Sequence, residues 1–192
     1  EVYGTAQATF MSESHPLDGQ SPYAASKTAC DRLAWAYKKA YGLRVNIVRS
    51  FNAYGPWQAD DGYGGVIAKF TRCALDARPM PIFGDGSQRR DYVWIEDAVD
   101  AYLLALERDF DGPLNVGTGT TVSIIEVAQK IHQIVGGNPK SAWLFETPRA
   151  GEVDVLRCDA SKAHAMGWDP KVPFDDGLKR YINWARRQTQ AT

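Results

Sequence analysis

Hydrophobic and polar residues along the chain follow two spacings, one typical of helices and one typical of strands. Apolar residues three or four positions apart predict helices over residues 23–41, 65–77, 97–106, 124–135, 161–166 and 174–187. Short runs rich in β-branched and aromatic residues predict strands over residues 44–49, 80–83, 88–95, 114–116 and 142–145. The mixture of the two element types along one chain predicts an α/β fold.

Residues suited to helix ends mark several boundaries of this pattern. Gly42 follows the first predicted helix, where a glycine often ends the last turn. Ser123 with Glu126 forms a capping box at the start of the fourth helix. Three stretches without periodicity are predicted to be loops, and they cover residues 5–20, 57–63 and 148–152.

The composition is that of a globular protein with a balanced charge. The 192 residues include 44% hydrophobic and 23% charged residues, with a formal net charge of -1. The lack of a basic surplus argues against nucleic acid as a partner. No apolar run reaches the ~20 residues of a membrane helix, which argues against a membrane partner. Cys30, Cys73 and Cys158 stand singly, which favours a reducing, cytoplasmic compartment and argues against a disulfide framework or a metal site.

Tyr23 and Lys27 lie four residues apart on the first predicted helix, so their side chains share one helical face. A phenol has a pKa near ~10 and is a poor base at neutral pH. A fixed ammonium beside it favours the phenolate, so Tyr23 could take and return the proton of a substrate hydroxyl. Spacing alone leaves a second interpretation open, since any helix can hold a tyrosine and a lysine four residues apart.

Three motifs carry a resemblance to a known family. Residues 21–27 read Ser-Pro-Tyr-Ala-Ala-Ser-Lys, residues 1–4 read Glu-Val-Tyr-Gly, and residues 48–56 read Val-Arg-Ser-Phe-Asn-Ala-Tyr-Gly-Pro. Together they resemble the extended short-chain dehydrogenase/reductase family, and within it the NAD-dependent nucleotide-sugar epimerases and dehydratases of carbohydrate biosynthesis. The resemblance covers residues 1–186.

This resemblance implies the second half of a Rossmann-like doubly wound parallel sheet, interleaved with a smaller α/β substrate-binding lobe. It assigns residues 1–57 and 92–118 to the NAD-binding Rossmann domain, and residues 58–91 and 119–192 to the substrate lobe. The family's Gly-rich loop for the dinucleotide pyrophosphate precedes these motifs, and the sequence lacks it. We therefore expect a C-terminal portion of such a protein, in which Gly117-Thr118-Gly119 is a turn ahead of a helix.

The resemblance also implies NAD as the cofactor and assigns residues to it. Tyr23 would remove the proton from the sugar 4-hydroxyl while hydride passes to NAD+. Lys27 would hold the nicotinamide ribose and lower the pKa of the tyrosine. The backbone of Ser50 and Phe51 would face the nicotinamide carboxamide.

A nucleotide-diphosphate sugar is the substrate that the resemblance implies. Asn52, Arg90 and Arg149 match positions that hold its diphosphate, and arginine suits this role because its planar fork of donors pairs two phosphate oxygens at once. Val66 and Ile82 match a pocket for the nucleotide base. The alternative for each arginine is a solvated surface charge, and for the two apolar residues it is plain core packing.

Two reactions could use these residues and this cofactor, and both pass through a 4-keto sugar. An epimerase returns the hydride to the opposite face of the sugar, whereas a 4,6-dehydratase removes the C5 proton and expels water from C6. Glu1 matches the carboxylate that removes the C5 proton in dehydratases, although decarboxylases and some epimerases also carry a glutamate there. The sequence favours 4,6-dehydration slightly over 4-epimerisation.

Other readings of the whole chain stay open. Without the dinucleotide loop, the chain could be a non-catalytic fragment or a module that binds a sugar nucleotide. A single-domain ketoreductase is a weaker alternative, because the segment after residue 65 exceeds what that smaller fold uses. In the family the helix that carries Tyr23 commonly builds a dimer interface, so the parent protein is expected to be a homodimer.

Overall fold

The computed structural model describes residues 2–61 and 64–190, and within them six α-helices and eight strands. The helices are α1 (Pro22–Tyr41), α2 (Val66–Leu75), α3 (Ile95–Glu107), α4 (Ile124–Val135), α5 (Ser161–Ala165) and α6 (Phe174–Gln190). The strands are β1 (Ile47–Ser50), β2 (Asn52–Tyr54), β3 (Met80–Phe83), β4 (Arg89–Trp94), β5 (Pro113–Val116), β6 (Thr121–Ser123), β7 (Trp143–Glu146) and β8 (Val155–Leu156). The predicted α/β class is confirmed.

Most strand pairs are parallel, as a doubly wound fold requires. β1 pairs with β5, β2 pairs with β4, and β3 pairs with β7, all in parallel. β4 also pairs in parallel with the short β8, and antiparallel with β6. Because parallel partners need a crossover connection, the helices lie between the strands in sequence and cover the sheets.

Two hydrophobic clusters lie on opposite sides of β4. Tyr92 and Trp94 point into a cluster that α2, α4 and α6 cover, whereas Val93 between them points into a cluster built on β5, α3 and α5. This follows from the alternation of side chains along a strand. β4 is therefore buried on both faces, and the polar residues Arg90 and Asp91 near its start are buried as well.

The first helix is less buried than its pattern predicts. Ala24 and Asp31 are the buried side chains of α1, whereas Leu33, Tyr37 and Tyr41 are 59%, 46% and 72% exposed. Within the described chain, α1 is therefore buried mainly along a narrow stripe that includes Ala24 and Asp31. None of the described helices combines the length and the apolar character needed to cross a bilayer.

Candidate active site

The sequence around Tyr23 starts a helix in a way that fixes the tyrosine near its first turn. Ser21 caps α1 by accepting a hydrogen bond from the Ala24 amide at 3.1 Å, and Pro22 occupies a first-turn position where its missing N–H costs nothing. Tyr23 is 57% exposed, so its phenol is open to a ligand. The Lys27 Nζ lies 5.7 Å from the centre of the Tyr23 ring, which places the pair on one face as predicted.

A cavity of about 520 Å³ lies between α1 and β1 and gathers the predicted cofactor residues. Its walls include Tyr23 and Lys27 from the helix and Ser50, Phe51 and Asn52 from the end of the strand. The carboxyl ends of parallel strands are where open α/β sheets bind ligands, and this cavity runs along the whole of β1 and reaches that end at Ser50. The structure thus brings five of the predicted site residues to one place.

The chemistry of this cavity fits the polar end of a dinucleotide. The buried Ser50 Oγ has no hydrogen-bond partner among the described residues, and a buried hydroxyl without a partner is costly unless a ligand or water supplies one. Lys27 adds a donor with a positive charge, and Phe51 adds an apolar surface. Among the described residues, no group of three or more histidine, cysteine or acidic side chains could hold a metal ion.

Asn52 is held at the rim of this cavity by the neighbouring strand. Its Nδ2 donates a hydrogen bond of 3.0 Å to the Asp91 carbonyl on β4. Gln58, just after β2, donates in the same way to the Ala53 carbonyl at 3.0 Å. These contacts fix the chain direction where it leaves β2, and they orient the Asn52 amide toward the cavity that it lines.

Arg90 is buried away from that cavity and already has a partner. Its side chain is about one-tenth exposed and lies 3.5 Å from the Glu152 carboxylate, a partially screened contact. Its Nη1 also donates to the Arg89 carbonyl at 3.0 Å. Arg89 points the other way, as the alternation of the strand predicts, and donates to Thr121. A diphosphate that reached Arg90 would compete with Glu152 for its outer donors.

Arg149 lies in the same loop as Glu152, which brings the two predicted arginines to one region. The Arg149 guanidinium carbon is 3.8 Å from the centre of the Phe83 ring, a close cation–π contact. This stacking holds a surface arginine over the end of β3, with its planar face against the ring. This region therefore offers an accessible arginine on the loop, Arg149, and a paired arginine on β4, Arg90.

The two residues predicted to line a base pocket are part of the core. Ile82 is fully buried, and Val66 packs against the same hydrophobic cluster at the start of α2. Phe83, the next residue on β3, carries the contact with Arg149 instead. Glu1, the predicted carboxylate base, lies outside the described residues.

Sequence reasoning missed a buried ion pair in the wall of the cavity. Arg49 on β1 donates to both carboxylate oxygens of Asp31 on α1, at 2.7 and 3.1 Å, and both side chains are less than one-tenth exposed. Arg49 also donates to the Tyr3 hydroxyl at 3.0 Å. Burial raises the pKa of Tyr3 to about 12, so its phenol stays protonated and donates to Asn115. The signal was weak, because nothing in the sequence joins Asp31 to Arg49.

The bare Gly117-Thr118-Gly119 segment has a structural role. The backbone amides of Thr118 and Gly119 donate to the Asp91 carboxylate, each at 2.8 Å, and the Cys158 amide adds a bond of 3.1 Å. Burial raises the pKa of Asp91, and these hydrogen bonds oppose that rise. The amides of this segment are thus engaged by a carboxylate of the chain itself, which agrees with its interpretation as a turn.

The chain is similar to known proteins over most of its length. The family model described as GDP-mannose 4,6 dehydratase matches residues 1–181. A UDP-glucose 4-epimerase of Mycolicibacterium smegmatis is 37% identical over 191 residues, which are 98% of this chain and 60% of that protein.

Two solved structures with the same fold were determined with bound ligands. A dTDP-glucose 4,6-dehydratase of Streptomyces venezuelae, solved with NAD bound, has a TM-score of 0.92 and 32% identity, covering 100% of this chain and 59% of that one. A UDP-glucose 4-epimerase of Thermotoga maritima, solved with UDP-glucose, has a TM-score of 0.90 and 33% identity, covering 97% and 60%. The chain thus spans about three fifths of the length of these three relatives.

Proposed function

The chain belongs to the GDP-mannose 4,6 dehydratase family, and from this premise we propose that it carries the proton-transfer pair and the substrate contacts of an NAD-dependent nucleotide-sugar enzyme. The observation that carries the proposal is the gathering of Tyr23, Lys27, Ser50, Phe51 and Asn52 around one cavity. A binding module would have no use for a tyrosine and a lysine held together at such a cavity. The proposed reaction passes through a 4-keto sugar.

Each residue has a role that its position supports. The exposed Tyr23 phenol takes the proton of the sugar 4-hydroxyl, and the nearby Lys27 ammonium stabilises the phenolate that this requires. NAD, when bound, accepts and returns the hydride. Lys27 and the unpartnered Ser50 hydroxyl hold its polar groups, and the backbone of Phe51 closes the wall beside them.

The diphosphate of the substrate is assigned to Asn52, Arg90 and Arg149. Arg149 is accessible and pre-oriented by Phe83, so it can pair with phosphate oxygens without a large loss of side-chain freedom. Arg90 must exchange its contact with Glu152 for the ligand, which the long distance of 3.5 Å makes inexpensive. Val66 and Ile82 are assigned to the pocket for the nucleotide base, where both pack at the hydrophobic core.

We favour 4,6-dehydration over 4-epimerisation as the overall outcome. Glu1, in the Glu-Val-Tyr-Gly motif, would supply the carboxylate that removes the C5 proton. Relatives of both kinds match the chain, so the 4-keto step is the shared part of the proposal. The alternative is a fragment that binds a sugar nucleotide without turning it over.

The decisive experiment compares Tyr23→Phe with Tyr37→Phe in a polypeptide that joins this chain to a dinucleotide-binding portion. Tyr37 lies on the same helix and is exposed, so its substitution is a matched control. We expect Tyr23→Phe to lose turnover of a UDP- or dTDP-sugar and Tyr37→Phe to keep it. Equal activity of the two variants would contradict the proposal. By mass spectrometry, a product lighter by one water identifies dehydration, and a product of unchanged mass identifies epimerisation.

A further inference from the structure

A second cleft, of about 240 Å³, lies between α2 and α6 and shares no lining residue with the active-site cavity. We call it the aromatic cleft and define it by Trp57, Tyr181 and Trp184 in its walls and by Gln58 and Thr71. Tyr181 and Trp184 face it together because they lie three residues apart on α6. The proposed function leaves this cleft without a role.

Trp57 has a backbone conformation that its side chain does not favour. The Gln58 amide donates to the Gly55 carbonyl at 3.3 Å, which closes a tight turn with Pro56 second and Trp57 third. The φ of Trp57 is +69°, as in the third position of a type II turn, where glycine is the ordinary residue. A bulky residue in this region is a true outlier, and such outliers concentrate at functional sites.

The strained turn presents the indole to solvent. Trp57 is 82% exposed, and its ring meets that of Trp184 at 5.4 Å with an interplanar angle of 66°. The Tyr181 ring lies 5.6 Å from Trp184, tilted by 30°. The aromatic rings of Trp57 and Trp184 thus lie at an angle to each other around one opening. Since an exposed indole gains little from folding, its side chain is not explained by core packing.

Two buried polar atoms belong to the residues that line this opening. The Gln58 Oε1 and the Thr71 Oγ1 have no hydrogen-bond partner in the described parts of the chain. Thr71 is 1% exposed, so bulk solvent does not supply a hydrogen-bond partner for its hydroxyl. The amide oxygen accepts and the hydroxyl both donates and accepts, so a ligand with several hydroxyl groups would match them.

The charges around the cleft argue against an anionic ligand. Arg72 lies 3.2 Å from Asp76 and 3.9 Å from Asp60, and Arg78 lies 3.0 Å from Asp76, so both cations are already paired with carboxylates. Burial and, to a smaller extent, Asp60 raise the pKa of Tyr181 to about 12, which keeps its phenol neutral. A nucleotide or phosphate would therefore find both cations of this cluster already paired, whereas a neutral polar ligand needs no free cation.

We propose that the aromatic cleft binds one neutral pyranose ring, separate from the nucleotide-sugar site. The C–H faces of the sugar lie against the Trp57 and Trp184 rings, and its hydroxyl groups bond to Gln58 and Thr71. Aromatic walls with a few fixed polar groups are the usual composition of a small-molecule site. The site needs neither NAD nor a nucleotide, so the result of its test does not depend on the proposed function.

The test uses the 192-residue chain and methyl α-D-glucopyranoside, a neutral pyranose without a nucleotide. Saturation-transfer NMR should show transfer from the protein to the ring protons of the glucoside. Trp57→Ala should abolish the transfer. Trp35→Ala should keep it, because Trp35 is also an exposed tryptophan but lies on α1, outside the cleft. Excess UDP should leave it unchanged.

Trp57→Gly guards against a variant that simply misfolds. Glycine is the favoured residue at this turn position, so the variant should melt at least as high as the wild type and still lose the transfer. The proposal is overturned by no transfer in the wild type, by equal transfer in the folded Trp57→Gly variant, or by loss of transfer with Trp35→Ala. Displacement by UDP would also overturn it, because the glucoside would then occupy the nucleotide-sugar site.

Discussion

At the scale of single residues, two ion pairs of the described chain differ sharply in burial. Arg49 and Asp31 are less than one-tenth exposed and form a two-point contact, whereas Lys171 and Asp100 are 73% and 46% exposed. An exposed pair is screened by water and contributes little. A buried charge that loses its partner is strongly destabilising. The wall of the active-site cavity therefore depends on one pair, which joins α1 to β1.

The first prediction concerns this pair. Asp31→Asn removes the charge that Arg49 needs while keeping the shape of the side chain, and we expect it to lower the free energy of unfolding by about 3–5 kcal/mol. Asp100→Asn breaks the exposed pair and should cost less than about 1 kcal/mol. Urea denaturation of the two variants measures both values. Similar small costs would mean that Arg49 reaches water after all.

The residues of the candidate site divide according to how local their signal is. Tyr23 and Lys27 share one helix, and Asn52 follows a strand, so spacing and motif together indicated that they could share a site. Asp31 and Arg49 are 18 positions apart in sequence, on different elements. Their contact depends on how α1 packs on β1, which no local pattern contains, and so the sequence could not indicate it.

At the scale of elements, the predicted helices were all found, whereas three strands were missed. β2, β6 and β8 have three, three and two residues, too few for an alternation to be recognised. All three exist because they pair with β4, a long strand that supplies their partners. Helix ends are set by nearby residues, and the capping box of Ser123 and Glu126 formed as predicted.

This capping box supports a prediction about pH. The Ser123 amide and hydroxyl donate to the Glu126 carboxylate, which lowers the pKa of Glu126. A carboxyl group whose pKa is lower in the folded state stabilises it above the unfolded pKa. That contribution is lost as the pH falls through the lowered folded value. Glu126→Gln keeps a capping side chain but not the charge.

The expected result is therefore a difference that depends on pH. At neutral pH the wild type should have a higher urea midpoint than Glu126→Gln, and the difference should shrink as the pH is lowered from about 5 toward 3. Glu107→Gln, on the last turn of α3, is a control without such a cap. A wild-type advantage that is constant over this range would show that the charge of Glu126 has no part in the cap.

At the scale of the whole molecule, the sequence predicts two interleaved parts. One strand, β4, contributes side chains to two separate hydrophobic clusters. The predicted boundaries at residues 57, 91 and 118 would separate a Rossmann portion from a substrate lobe in sequence. Yet β4 sends Tyr92 and Trp94 into one hydrophobic cluster and Val93 into the other. If either cluster is lost, β4 loses one of its two covered faces. The two parts are thus coupled through a common wall, whatever their evolutionary or functional boundaries.

This coupling predicts that the described chain unfolds as one cooperative unit. Ile131→Ala in one cluster and Leu114→Ala in the other should each cost about 2–5 kcal/mol, since both side chains are fully buried. Each variant should shift a single transition that is the same by circular dichroism and by tryptophan fluorescence. Leu103→Ala, at an exposed position of α3, should change stability by less than about 0.5 kcal/mol. Two separate transitions, with each variant moving only one, would mean that β4 does not couple the clusters.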